Sequence, residues 1–105
     1  MNGKYEPNVL KAESLQLGFG LTYNAAKVGR VCTIEFNGQL NANVGAFASL
    51  GTIAAEYIPR LQVVAPNCAY MDHYMMIQNN GNVALSKALQ AGEFVQGTYT
   101  YITAN

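Results

Sequence analysis

The amino-acid sequence predicts an all-β chain, a sandwich or barrel of about six to eight short strands. Three observations predict it. Val, Ile, Tyr, Phe and Thr, which suit a pleated surface, make up 30 of 105 residues, while Glu, Lys and Arg make up 11. Apolar residues recur with a period of two along several stretches. Gly-, Asn- and Pro-containing turn signals recur about every ten residues, with no strand–helix–strand spacing between them.

Residues 1–12 lack alternation and read as an N-terminal linker or neck, which leaves 13–105 as one β domain. Leu15 to Asn24 alternates without a break, with Leu15, Leu17, Phe19, Leu21 and Tyr23 on one face. Gly18 and Gly20 thin the other face and predict a bulge or the close approach of another backbone. Asn24 to Gly29 reads as a turn. Val28 to Leu40 alternates again, with Cys32, Ile34 and Phe36 pointing one way. Asn37-Gly38 is a hairpin signal, but only Leu40 follows as an apolar partner, so the pair also fits inside a longer irregular strand.

Asn41 to Gly51 is an ordered loop in this reading, because Gly45 and Gly51 oppose a helix. It leads into a short strand at Thr52–Ala54. Leu61–Ala65 is an apolar strand ended by Pro66-Asn67. Ala69–Gln78 reads as the next strand, with Met71, His73, Met75 and Ile77 opposite Tyr70, Asp72, Tyr74 and Met76. Asn79–Asn82 is a turn with positive φ at Gly81. Val83–Ser86 returns as the hairpin partner. Lys87–Gly92 connects, with room for one helical turn. Glu93–Thr103 closes the fold, with Val95, Tyr99 and Tyr101 on one face.

Composition excludes several function classes. Half the residues are hydrophobic and 11% are charged, against roughly 25% in an average domain. That is not the low hydropathy and high charge of a disordered chain. Six basic residues face six acidic ones, so the basic surplus of a nucleic-acid binder is missing. The most apolar stretch, Val44 to Ala55, is shorter than a membrane span and holds two Gly. The N-terminus lacks the basic-then-apolar pattern of a signal peptide. Asn, Gln, Thr and Ser supply 26 neutral polar residues. Such an uncharged surface does little to prevent contact between chains and suits a subunit of an assembly.

Little in the sequence points to catalysis or to a cofactor. Cys32 and Cys68 are too few for a disulfide scaffold, and Cys32 reads as a small buried hydrophobe. One His cannot complete a His-rich metal site. In a strand, Asp72 and His73 point to opposite faces and do not pair. The serines occupy no nucleophile-elbow motif, and no phosphate-cradling Gly loop is present.

A binding site is easier to place. Saccharides are held by aromatic faces against C–H patches and by planar polar groups on hydroxyls. Tyr70-Met71-Asp72-His73-Tyr74 gathers such groups, and Arg60 follows Pro59 at the start of a strand. Tyr70, Asp72, His73 and Arg60 are therefore the candidate ligand-binding residues. Sheet-face tyrosines, a satisfied core histidine and a solvated arginine are the commoner explanations of the same residues.

A family pattern runs through residues 15–103. It comprises Val28-Gly29-Arg30-Val31 through Phe36-Asn37-Gly38, then Gly51-Thr52-Ile53 with Tyr57 and Pro59. Ile77, Asn80-Gly81, Val83 and Leu85 follow, and Tyr99-Thr100-Tyr101 closes it. The pattern resembles the C-terminal head domains of phage tail-tip and baseplate receptor-binding proteins, especially those of lactococcal-type siphophages. The resemblance implies a β-barrel or jelly-roll-like head in a homotrimer at the virion tip, with residues 1–12 joining a neck. It implies attachment to a host cell-wall saccharide without chemical conversion. The alternative within the same resemblance is a structural adaptor or collar that docks another baseplate or tail protein. The composition and the missing motifs give no cofactor, no nucleic-acid partner and no membrane insertion.

Overall fold

The computed structural model describes residues 10–105 and is all-β. Eight strands form two four-stranded antiparallel sheets around one core. The first sheet has the order β1 (Lys11–Gln16), β2 (Thr22–Val28), β3 (Val31–Gln39), β8 (Phe94–Ile102). The second has the order β4 (Ser49–Thr52), β7 (Asn82–Leu85), β6 (Tyr74–Ile77), β5 (Val63–Pro66). In the second sheet β5, β6 and β7 form a meander and β4 lies beside β7, a Greek-key arrangement. β1 begins at Lys11, inside the segment read as a linker, and residues 1–9 of that segment lie outside the described residues.

The long alternation from Leu15 to Asn24 is a hairpin rather than one strand. Phe19 and Gly20 take φ of 59° and 78°, the sign pattern of a type I′ turn. The register pairs Leu15 with Tyr23, so odd positions face the same side on both strands and the pattern runs through the turn unbroken. The close approach expected at Gly18 is present. Its N–H donates to the Leu50 carbonyl at 2.7 Å, and a Cβ there would lie 2.3 Å from that oxygen. This contact joins the β1–β2 turn to the second sheet.

The next turn also lies elsewhere than expected. β2 runs through Asn24 to Val28, and the turn is the two-residue loop Gly29-Arg30, with Gly29 at φ 61°. Asn37-Gly38 stays inside β3, paired with Gln96 and Val95. The short strand expected at Thr52–Ala54 is shifted to Ser49–Thr52, and a 3₁₀ turn follows at Ala55–Tyr57. Gly81 has the expected positive φ, 88°. No helical turn forms in residues 87–92, because Leu89 bridges to Val44 instead.

The core uses the alternation of β3 and β8. Cys32, Ile34, Phe36, Val95, Tyr99 and Tyr101 are buried, and Met75, Ile77, Val83 and Leu85 face them from the second sheet. Each large apolar side chain contributes about 1.5–3 kcal/mol on burial. Phe36 lies between Tyr23 and Tyr99, with tilted rings at centroid distances of 6.0 and 6.2 Å. The core tyrosines also tie the layers together. Tyr23 accepts from the Ala54 N–H at 3.0 Å, Tyr99 donates to the Pro66 carbonyl at 2.6 Å, and Tyr101 donates to the Tyr57 carbonyl at 2.7 Å. Both cysteines are free thiols, Cys32 buried and Cys68 exposed.

Candidate functional site

The stretch that gathers the candidate residues is mostly a connection, not a strand. β6 begins only at Tyr74, and residues 67–73 cross from β5 to β6 through turns. This corrects the expected strand Ala69–Gln78 and its consequence for Asp72 and His73. In a turn, neighbouring side chains are not forced to opposite faces. The His73 Nδ1 lies 2.9 Å from Asp72 Oδ1, and the two form a hydrogen-bonded pair.

Asn67, fully buried, organises this connection. Its Oδ1 accepts from the backbone N–H of Gln96 at 3.1 Å and of Ala69 at 3.4 Å. Its Nδ2 donates to the Phe94 carbonyl at 3.1 Å and to His73 Nε2 at 3.1 Å. The full hydrogen-bonding capacity of the amide is thus used, as burial demands. Because the Asn67 oxygen must face two N–H groups, its nitrogen must face His73. His73 Nε2 is then the acceptor, and Nδ1 carries the proton given to Asp72. Lys87 donates to the other Asp72 oxygen. Hydrogen bonds from Lys87 and then His73 hold the Asp72 carboxyl down at about 2.

Three of the four candidates meet here. The Tyr70 ring stacks on His73 at 5.8 Å, and its hydroxyl accepts from the Phe94 N–H at 3.2 Å. The His73 side chain is buried, with both ring nitrogens engaged, so it supports the connection from within. Asp72 is exposed, and with Met71 and Tyr74 it borders a shallow depression of about 390 Å³. Arg60 is not part of this group. It lies before β5, at the other end of a strand roughly 13 Å long. There its N–H donates to the Ile102 carbonyl at 2.9 Å, and its side chain borders a separate depression with Leu61 and Gln62.

A second surface was not foreseen from the sequence. The outer face of the first sheet carries side chains in ordered rows. One row is Ser14, Asn24, Glu35 and Thr98, taken from β1, β2, β3 and β8 in turn. Ser14 donates to Asn24 Oδ1, and Asn24 Nδ2 donates to Glu35 Oε1 at 3.1 Å. The adjacent row is Ala12, Ala26, Thr33 and Thr100, whose two threonine hydroxyls lie 2.9 Å apart. The two alanines are short, so the face sinks into a trough of about 440 Å³ between the rows. Its floor is methyl groups, and its walls are hydroxyls, an amide and one carboxylate. The paired Val28, Val31 and Ile102 follow beyond the alanine row and are exposed. Only the cross-strand register brings these residues together, and no sequence motif marks it.

Among the described residues, no group of three or more His, Cys, Asp or Glu converges as metal ligands. Among the described residues, no helix is long and apolar enough to cross a membrane. The chain matches no protein-family model, and a search of curated proteins finds no match.

Proposed function

We propose that this chain is a saccharide-binding head of a phage tail tip or baseplate, a homotrimer that attaches to host cell-wall glycan without converting it. The observation that carries the reading is the trough on the outer face of the β1-β2-β3-β8 sheet. Methyl groups of Ala12 and Ala26 suit the C–H face of a sugar ring. Ser14, Asn24, Thr33, Glu35 and Thr98 surround them with groups that accept from and donate to hydroxyls. The size falls within the range of small-ligand sites, about 300–1,000 Å³. A shallow, open site gives weak monovalent binding, and repeated copies on a virion would multiply it through effective concentration.

A second reading, a baseplate adaptor, is favoured by one observation. Val28, Val31 and Ile102 form an exposed apolar row on the same face, which suits a protein partner as well. Pull-down on purified host wall polysaccharide separates the two. Binding that is lost in Ala26→Leu, where a larger side chain fills the trough, supports the head. Binding lost in Asp72→Ala but kept in Ala26→Leu moves the site to the β5–β6 connection. No binding to any wall polysaccharide leaves the adaptor. Light scattering should report three times the single-chain mass, and a monomer would remove the trimer from the proposal.

A further inference from the structure

We propose that the Asn67–His73 contact is an acid-sensitive latch that fastens the β5–β6 connection to β8. The latch is the set of contacts between residues 67–70 and Phe94–Gln96. Asn67 bonds the Gln96 N–H and the Phe94 carbonyl, Cys68 N–H donates to the Gln96 carbonyl at 2.8 Å, and Tyr70 accepts from the Phe94 N–H. The two Asn67 contacts require its amide in one orientation. That orientation presents an N–H to His73 Nε2, so it accommodates only an imidazole whose Nε2 is unprotonated.

An imidazolium donates from both nitrogens. On protonation, the new Nε2–H points at the Asn67 N–H across 3.1 Å in a buried space. Turning the amide over relieves that conflict and creates two others. The nitrogen would then face the N–H groups of Gln96 and Ala69, and the oxygen would face the Phe94 carbonyl. No orientation of Asn67 satisfies all its neighbours once His73 is charged, and a buried polar mismatch is costly. The conflict ends when residues 67–73 separate from β8 and His73 reaches water.

The groups around His73 fix the direction of the effect. Asp72 on the same turn attracts the imidazolium, and Lys87 from the β7–β8 connection shares that carboxylate and repels it. Glu93, just before β8, acts on Lys87. Tyr70 contributes a neutral ring face, and β8 presents only backbone groups. Asp72 neighbours His73 within residues 67–73, so their bond does not depend on contact with β8, whereas the Asn67 contacts do.

Amide hydrogen exchange and His73 ring signals, followed by NMR between pH 8 and pH 5, test the latch in the intact chain. The Gln96 and Cys68 amides should lose protection by about tenfold or more as His73 protonates, after correction for intrinsic exchange. The amides of Ile34 and Phe36 in the core should not change. In His73→Gln, which keeps a neutral polar side chain, the pH dependence at Gln96 and Cys68 should vanish. Protection at Gln96 that is constant across the titration of His73, or a pH dependence that persists in His73→Gln, overturns the proposal. Wild-type spectra alone decide the first outcome, so the test survives a variant that folds poorly.

Discussion

The Tyr99 side chain folds back over Gly97 and hands its hydroxyl to the Pro66 carbonyl at 2.6 Å. Both residues face the same side of β8, two positions apart. A Cβ at Gly97 would meet the Tyr99 oxygen at 1.9 Å and Cζ at 2.3 Å. The glycine therefore exists for space, because it lets a core tyrosine tie β8 to the end of β5.

Gly97→Ala should destabilise the chain by about 1–3 kcal/mol, the usual range for overpacking. Urea unfolding of the variant measures it. Tyr99→Leu removes every ring atom that the added Cβ would meet, so the double variant Gly97→Ala/Tyr99→Leu should lose less than the sum of the single losses. Strict additivity would mean that the two residues do not conflict.

Asn67→Ala should cost about 2–5 kcal/mol, because the Gln96 N–H and the Phe94 carbonyl lose their buried partners. His73→Phe keeps the ring volume and leaves only one Asn67 donor idle, so its loss should be smaller. Unfolding midpoints of the two variants check the ranking. An equal or larger loss in His73→Phe would place the centre of the network on the histidine.

Most of the fold was legible because alternation reports burial directly. The inward positions of β3 and β8 follow from Cys32, Ile34, Phe36, Val95, Tyr99 and Tyr101 alone. Turn positions were less legible. The hairpin at Phe19-Gly20 preserves the odd-position pattern, so nothing in the hydropathy breaks where the chain reverses. The candidate site was legible as a cluster but not as a geometry. Tyr70, Asp72 and His73 do meet, yet Asn67, the residue that organises them, reads in sequence as an ordinary turn residue after Pro66. The Ala12–Ala26 trough depends on register between strands, which no local pattern encodes.

The cysteines give a direct chemical check. Cys68 is exposed, while Cys32 is enclosed, and burial raises its thiol. A thiol reagent at neutral pH should add one label to the native chain and a second after unfolding, as read by mass spectrometry. Two rapid labels in native buffer would contradict the burial of Cys32 in the core between the sheets.

Asp72 sets an acid-side dependence. Its carboxyl is held at about 2, below its ordinary value near 3.9, by Lys87 and then His73. A depressed carboxyl stabilises the folded chain above its unfolded value and loses that effect as pH falls through the folded one. The stability difference between wild type and Asp72→Asn should thus shrink between about pH 4 and pH 2. Thermal melts at a series of pH values measure it. A difference that grows on acidification would reverse the assigned sign.

The trough is the centre of the functional account, and chemical-shift mapping with purified host wall polysaccharide tests it most directly. The account predicts saturable shifts at the backbone amides of Ala26, Thr33, Glu35 and Thr98, weak in the isolated chain and absent in Ala26→Leu. Shifts confined to Asp72 and Tyr74, or no shifts with any wall polysaccharide, would contradict it.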